Sequence, residues 1–70
     1  MSKSLWLRFP DRHRAEQFAA SAGAFYEDSA AFKTLGNFVE VVGHAATNEL
    51  MRSDTVDAAS ILQGAEVEAP

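Results

Sequence analysis

The fold is decided by residues 31–42, which read AFKTLGNFVEVV. Gly36 and Asn37 separate two apolar-rich runs, and a Gly-Asn pair in this position is typical of a two-residue β-hairpin turn. The turn predicts an antiparallel hairpin in which Lys33 lies opposite Glu40. The opposite charges of that pair support this register by about a few tenths of a kcal/mol.

The same register sorts the hairpin side chains onto two faces of a sheet. Phe32, Val39 and Val41 share one face and are the core candidates. Leu35 and Phe38 fall on the other face, together with the charged pair. These two apolar side chains lie either under a second covering layer or in an exposed patch that a partner can bind.

A third strand is predicted upstream of the hairpin, over residues 4–9. Apolar side chains occupy its odd positions, and this period of two indicates a half-buried strand. Trp6 and Arg8 alternate with them and therefore share the opposite face. There the guanidinium group can stack on the indole ring.

Two helices are predicted, one on each side of the hairpin. The first spans about residues 11–22, because Asp11 is a good N-cap and apolar residues follow at helical spacing up to Gly23. The second spans about residues 48–63, where apolar residues again recur at helical spacing. Gly64 is the predicted stop of this second helix.

These elements predict an α+β fold, a small two-layer sandwich in the order β-α-(β)-β-β-α. The bracketed strand is a short segment within residues 24–28, which forms either a strand or a loop and returns Phe25 to the core. Residues 1–64 then make a single compact domain, and residues 65–70 an acidic C-terminal tail that is frayed. The layout resembles an abbreviated ferredoxin-like unit, an arrangement shared by many unrelated functions.

Composition narrows the class of protein. The chain has 70 residues, 47% hydrophobic and 23% charged, which fits one folded domain and argues against disorder. It has no cysteine, so disulfides, thiolate metal sites and a cysteine nucleophile are excluded. No apolar run is long enough for a transmembrane helix, and no signal-peptide pattern is seen. The expected location is the cytoplasm, without membrane association.

The net charge of −4 hides an asymmetry along the chain. Residues 1–14 hold four Lys or Arg residues and one acid, a charge of +3. Residues 15–70 hold two Lys or Arg residues and nine acids, a charge of −7. An acidic body attracts basic partners and repels nucleic acid at long range. The alternative is that these charges only maintain solubility.

No catalytic, metal-binding or cofactor-binding pattern is present. His13 and His44 lack ligand spacing, so no metal site is expected. The serines lack a Gly-x-Ser-x-Gly context, and the glycines read as turn and cap residues rather than a phosphate loop. The sequence therefore predicts a protein that is not an enzyme and that carries no cofactor.

The leading hypothesis is a protein-interaction module that uses an acidic face. The candidate residues are aromatic or acidic and come from several elements: Tyr26, Glu27, Asp28, Glu40, Glu49, Asp54 and Asp57. Their chemistry suits a larger basic host protein or complex, because tyrosine is enriched at interfaces and carboxylates attract basic surfaces.

Size and charge also carry a general resemblance. A short, acidic, cysteine-free chain without motifs resembles the small regulators that bacteriophages and mobile elements encode. Such proteins block or redirect a host nucleic-acid machine, such as RNA polymerase or a CRISPR complex. The resemblance implies an inhibitor or regulator of transcription or of another host process, and it identifies no family.

The alternative is a nucleic-acid-binding module at the basic, aromatic start of the chain. Its candidate residues are Trp6, Arg8, Arg12, His13 and Arg14, which combine a stacking ring with phosphate-binding groups. The cations in the first helical turn oppose the helix dipole, unless nearby acids offset their charge. A homodimer through the exposed sheet face is a further hypothesis.

Overall fold

The computed structural model describes residues 4–70, and it confirms the α+β class. Within this range the elements are β1 (Leu5–Arg8), α1 (Arg12–Phe25), a 3-10 turn (Ser29–Ala31), β2 (Phe32–Leu35), β3 (Phe38–Val41), α2 (His44–Thr47), α3 (Glu49–Ile61) and β4 (Ala65–Val67). The four strands form one antiparallel sheet in the order β2-β3-β1-β4. Residues 1–3, which include Lys3 of the basic start and the first residues of the predicted domain, lie outside the described residues.

The hairpin is confirmed in its predicted register, with Lys33 opposite Glu40. Gly36 has a φ of 61°, and positive φ at the first turn position is the pattern of a type II′ turn. The backbone N–H of Phe9 donates to the carbonyl oxygen of Asn37 at 2.8 Å. The side-chain amide of Asn37 donates back to the Phe9 carbonyl at 2.9 Å. These two bonds tie the turn to the end of β1.

The core lies on the helix-facing side of the sheet. The predicted core side chains of the strands are all buried: Leu5, Leu7, Phe9, Phe32, Val39 and Val41. The helices add mostly alanines, so they approach the sheet closely, and one large ring fills the space between them. Phe18 of α1 contacts Phe9 and Phe32, with ring centroids 5.3 and 6.1 Å away.

Helix α1 is longer than predicted, because it continues to Phe25. No strand therefore forms within residues 24–28. Gly23 was predicted to end the helix, but its lack of a side chain serves close packing instead: a Cβ there would lie 3.0 Å from the Cα of Ser29. The left-handed residue that follows the helix is Glu27, with a φ of 55°.

The second predicted helix begins as expected, at a cap formed by Asn48. Its side-chain oxygen accepts a hydrogen bond from the backbone N–H of Met51 at 3.1 Å. The preceding residues form the separate short helix α2 where a connection was predicted. Within residues 4–70, none of the helices combines the length and the apolar character that crossing a membrane requires.

The end of α3 differs from the prediction, which placed it at about residue 63. The helix stops at Ile61, and the left-handed position belongs to Gln63, with a φ of 64°. Gly64 is instead required by space, since a Cβ there would lie 2.7 Å from Cζ of the buried Phe9 ring. The bare backbone at this position lets the chain pass across the core and reach the sheet.

The prediction that residues 65–70 form a frayed tail is wrong for residues 65–67. Ala65–Val67 form β4, which pairs antiparallel with the free edge of β1. Glu66 faces α3, where its carboxylate forms a salt bridge with Arg52. With β4 the chain has the topology of two interleaved, split β-α-β units, the arrangement of ferredoxin-like sheets.

Candidate interaction surfaces

An apolar groove separates helices α1 and α3. It has a volume of about 400 Å³, and we call it the helix groove. Its lining comes from one side of each helix and is mainly apolar: Phe18, Ser21, Ala22, Phe25, Tyr26, Asp54, Thr55 and Ala58. Asp54 is the one charged side chain among these lining residues. The groove therefore suits an apolar group that carries a positive charge beside it.

The extra turn of α1 builds one wall of the helix groove. Tyr26 is half-buried and stacks on Phe32 of the sheet, with ring centroids 5.9 Å apart and an interplanar angle of 12°. Phe25 contacts the edge of Tyr26 but remains 79% exposed. One ring thus fixes the helix end on the sheet, and the other is presented to solvent.

The opposite wall belongs to α3. Thr55 is buried, and its hydroxyl donates to the carbonyl oxygen of Met51 at 2.7 Å, so its polar group is satisfied within the helix. Ala58 is small and leaves space open at the middle of the groove. An incoming apolar group would therefore displace no hydrogen bond of the wall.

Exposed apolar side chains extend this wall along α3. Leu50 precedes Asp54 by four residues, and Ile61 follows it by seven, so all three lie on the same side of the helix. Leu50 is 75% exposed and Ile61 is 82% exposed. The α3 side of the groove is thus bordered by a stripe of apolar side chains with a carboxylate in its middle.

The helix groove gathers part of the predicted acidic set. Tyr26 and Asp54 line it from opposite sides. Glu27 and Asp28 follow Tyr26 in the turn after α1, and both are exposed. Aromatic and acidic residues that are 26 or more positions apart in the chain are thereby brought to one surface.

The remaining predicted acids lie elsewhere. Glu49 and Asp57 line a second, more polar groove beside β4, together with the salt-bridged pair of Arg52 and Glu66. Glu40 is on the sheet face that the helices do not cover, and its carboxylate accepts a hydrogen bond from the Ser4 hydroxyl at 2.6 Å. The predicted acidic face is therefore three separate places rather than one.

The uncovered side of the sheet is the second candidate surface, which we call the open sheet face. Cross-strand pairing arranges its side chains in two rows: Leu35, Phe38, Arg8, Ala65 and Lys33, Glu40, Trp6, Val67. Trp6 and Phe38 meet edge to face near its centre, with ring centroids 6.5 Å apart. Leu35 is 59% exposed at one end.

The predicted basic set is split between this face and the start of α1. Trp6 and Arg8 are on the open sheet face, whereas Arg12, His13 and Arg14 occupy the first turn of α1. Nε of Arg12 donates to Glu16 at 2.8 Å, and this hydrogen bond raises the pKa of the guanidinium group.

Arg14 is also engaged. Its backbone N–H donates to the Asp11 carboxylate at 2.8 Å, and its guanidinium group forms a salt bridge with the same carboxylate. The backbone hydrogen bond is the main reason why the pKa of Asp11 is lowered. The acids at the start of α1 thus offset its cations, as one interpretation of the sequence predicted. By contrast, neither Arg8 nor Lys33 forms a salt bridge within residues 4–70.

The sequence pattern did not reveal the exposed aromatic residue of the helix groove. Phe25 was expected to return to the core, but it is exposed on the last turn of α1. The signal was present, because Phe25 continues the helical series three residues after Ala22.

Comparison of the chain with protein-family models, with curated proteins and with solved structures returns no match.

Proposed function

We propose that this is a non-enzymatic interaction protein whose helix groove binds an apolar, basic segment of a larger partner protein. The observation that carries the proposal is an apolar groove with an exposed Phe25 on one wall and the Asp54 carboxylate on the other. In this two-layer arrangement α1 and α3 cover one face of the sheet, so the groove between them opens to solvent.

The apolar part of the groove supplies affinity. Covering an exposed phenylalanine side chain is worth about 1.5–3 kcal/mol, and Phe25 is largely in water. Ala58 leaves room for a partner side chain without rearrangement of α3. An apolar anchor on a helix or an extended segment matches this shape, as in other helix-in-groove interactions.

The acidic part of the groove makes it selective for basic partners. Asp54, Glu27 and Asp28 present carboxylates at or beside the groove, and no Lys or Arg lines it. Carboxylates at a rim speed the encounter with Lys or Arg and disfavour acidic competitors. Proteins that hold nucleic acid carry such basic segments. A host nucleic-acid machine, such as RNA polymerase or a CRISPR complex, is therefore the proposed partner class, and the chain would act as its regulator or inhibitor.

The test is a capture experiment from bacterial lysate with immobilised full chain, followed by titration of the captured protein. We expect Phe25→Ala to weaken binding about tenfold, as loss of an interface anchor does. Asp54→Asn should weaken binding at low salt more than at high salt.

Two matched controls isolate the groove. Leu35→Ala removes an exposed apolar side chain from the sheet, and Glu49→Gln removes a carboxylate from α3 outside the groove. Both should bind a single partner segment with the affinity of the wild type. Equal loss in a groove variant and its control would contradict the proposal.

A second candidate is direct binding of single-stranded nucleic acid at the open sheet face. It is supported by Arg8 and Lys33, which form no salt bridge within residues 4–70 and lie beside Trp6 and Phe38. Stacking rings flanked by cations are the chemistry of single-strand binding. Quenching of Trp6 fluorescence by short oligonucleotides at low ionic strength would be its signature.

A further inference from the structure

The open sheet face combines an apolar centre with few charges. Trp6, Phe38 and Val67 are each half-buried there, although none of the helices within residues 4–70 covers this side of the sheet. Aromatic side chains and arginine are the residues enriched in protein interfaces. We propose that this face binds a second copy of the same chain, in a two-fold dimer that packs sheet against sheet.

The charges on the face are self-complementary. Each copy presents the cations Arg8 and Lys33 and the carboxylate of Glu40, with no salt bridge among them. A two-fold axis makes every contact twice with the roles exchanged, so a cation of each copy can meet the carboxylate of the other. Arg8 can also stack on an aromatic ring across the interface.

Nucleic acid fits the same face less well. Within residues 4–70 this face carries two cations that form no salt bridge, and Glu40 lies between Lys33 and Trp6 in the same row. Arg12 and Arg14, in the first turn of α1, form salt bridges with Glu16 and Asp11. A phosphate chain laid over Trp6 would therefore meet a carboxylate.

The acids that would repel a second copy lie away from the interface. Glu27, Asp28 and Asp54 are on the helix side, which faces outward in such a dimer. Charges separated by more than the Debye length, about 8 Å at physiological salt, are largely screened. Both copies can thus keep their acidic surfaces in solvent.

The size of the molecule is compatible with this interface. A standard interface buries about 800 Å² per partner. This is about one sixth of the 4657 Å² surface, and the open sheet face presents the exposed or half-buried side chains of all four strands. If the proposed function holds, the dimer also presents two helix grooves on opposite sides, which increases avidity for a partner with repeated segments. The dimer itself does not depend on that function.

The experiment compares two equivalent substitutions of exposed leucines in the full chain. Leu35→Lys places a third cation on the open sheet face, whereas Leu50→Lys places a cation on α3, away from that face. Light scattering after size exclusion, repeated across micromolar concentrations, should give twice the chain mass for wild type and for Leu50→Lys. Leu35→Lys should raise the dimer Kd about tenfold or more.

The fluorescence of Trp6 provides an independent readout. Because dimerisation covers the indole, its emission should shift to shorter wavelength as wild-type concentration rises, and Leu35→Lys should remove that dependence. A monomer at every concentration, or equal dissociation by Leu35→Lys and Leu50→Lys, would overturn the proposal. So would a Trp6 response to oligonucleotide without any response to protein concentration. If the Leu35→Lys variant still binds the partner through the helix groove, the loss of its dimer is independent of the groove.

Discussion

The helix groove and the open sheet face are both exposed and apolar, but they are built differently. Side chains of the open sheet face are fixed by backbone pairing, so Lys33, Glu40 and Trp6 fall into one row wherever the helices lie. The helix groove, by contrast, depends on the distance between α1 and α3 where they pack on the sheet. Asp54 and Phe25 line the same groove because α3 and α1 both pack against the sheet.

Their charges differ in the same way. The open sheet face carries two cations and one carboxylate, whereas the helix groove is lined by a single carboxylate with two more in the adjoining turn. The net charge of −4 therefore describes neither surface. It is a sum over the mixed sheet face, the acidic helix side and the rest of the chain, and the two surfaces favour different partners.

The largest effect should come from Gly64→Ala, which would disturb the core packing beneath the open sheet face. The added methyl group would overlap the ring of Phe9, which is buried and packed against Phe18. Overpacking of this kind costs about 1–3 kcal/mol, and we expect the upper end of that range. Urea denaturation followed by Trp6 fluorescence measures the free energy of unfolding.

The neighbouring residue supplies the control for that change. Gln63 has a φ of 64°, a conformation that glycine adopts without strain. Gln63→Gly should therefore leave the protein at least as stable as the wild type. If Gly64→Ala were tolerated equally well, the close approach of Phe9 would not limit this position.

Gly64 also marks where sequence patterns fail. A glycine after a helix predicts a left-handed stop, but Gln63 takes that conformation and Gly64 is needed for space. The close approach involves Phe9, 55 residues earlier, and no local pattern encodes it. The same reason explains β4: residues 65–67 have little strand character alone and are held by the free edge of β1.

The hairpin and the open sheet face were predictable for the opposite reason. Their order comes from alternation and from one turn, both of which are local. Lys33 opposite Glu40 follows as soon as Gly36 and Asn37 form the turn. The helix groove was not predictable, because the length of α1 beyond Gly23 and the distance between two helices are tertiary properties.

An intermediate effect is expected from filling the helix groove with Ala58→Phe. Ala58 is exposed and lines the groove, so a phenyl ring can occupy the space that a partner would use. Partner binding should weaken about tenfold or more, whereas stability and dimer formation should not change. Ala20→Phe, at an exposed alanine of α1 that does not line the groove, is the matched control. Loss of the dimer in Ala58→Phe would mean that the two surfaces are not independent.

The smallest effect concerns the acid sensitivity of α1, the helix that carries one wall of the groove. The Asp11 carboxylate caps the helix, and its pKa is lowered below 3.8, mainly by the hydrogen bond from the backbone N–H of Arg14. A carboxyl group with a lowered pKa stabilises the fold fully above its unfolded pKa. That contribution is lost as the pH falls through the lower pKa of the folded state.

Asp11→Asn keeps a capping oxygen but does not titrate, so the stability of this variant should fall less than that of the wild type below about pH 4. Thermal unfolding at a series of acid pH values measures the difference, and parallel curves for both proteins would show that Asp11 does not contribute. The open sheet face lies on the other side of the sheet from α1, so the emission of Trp6 in the folded state should be the same in both.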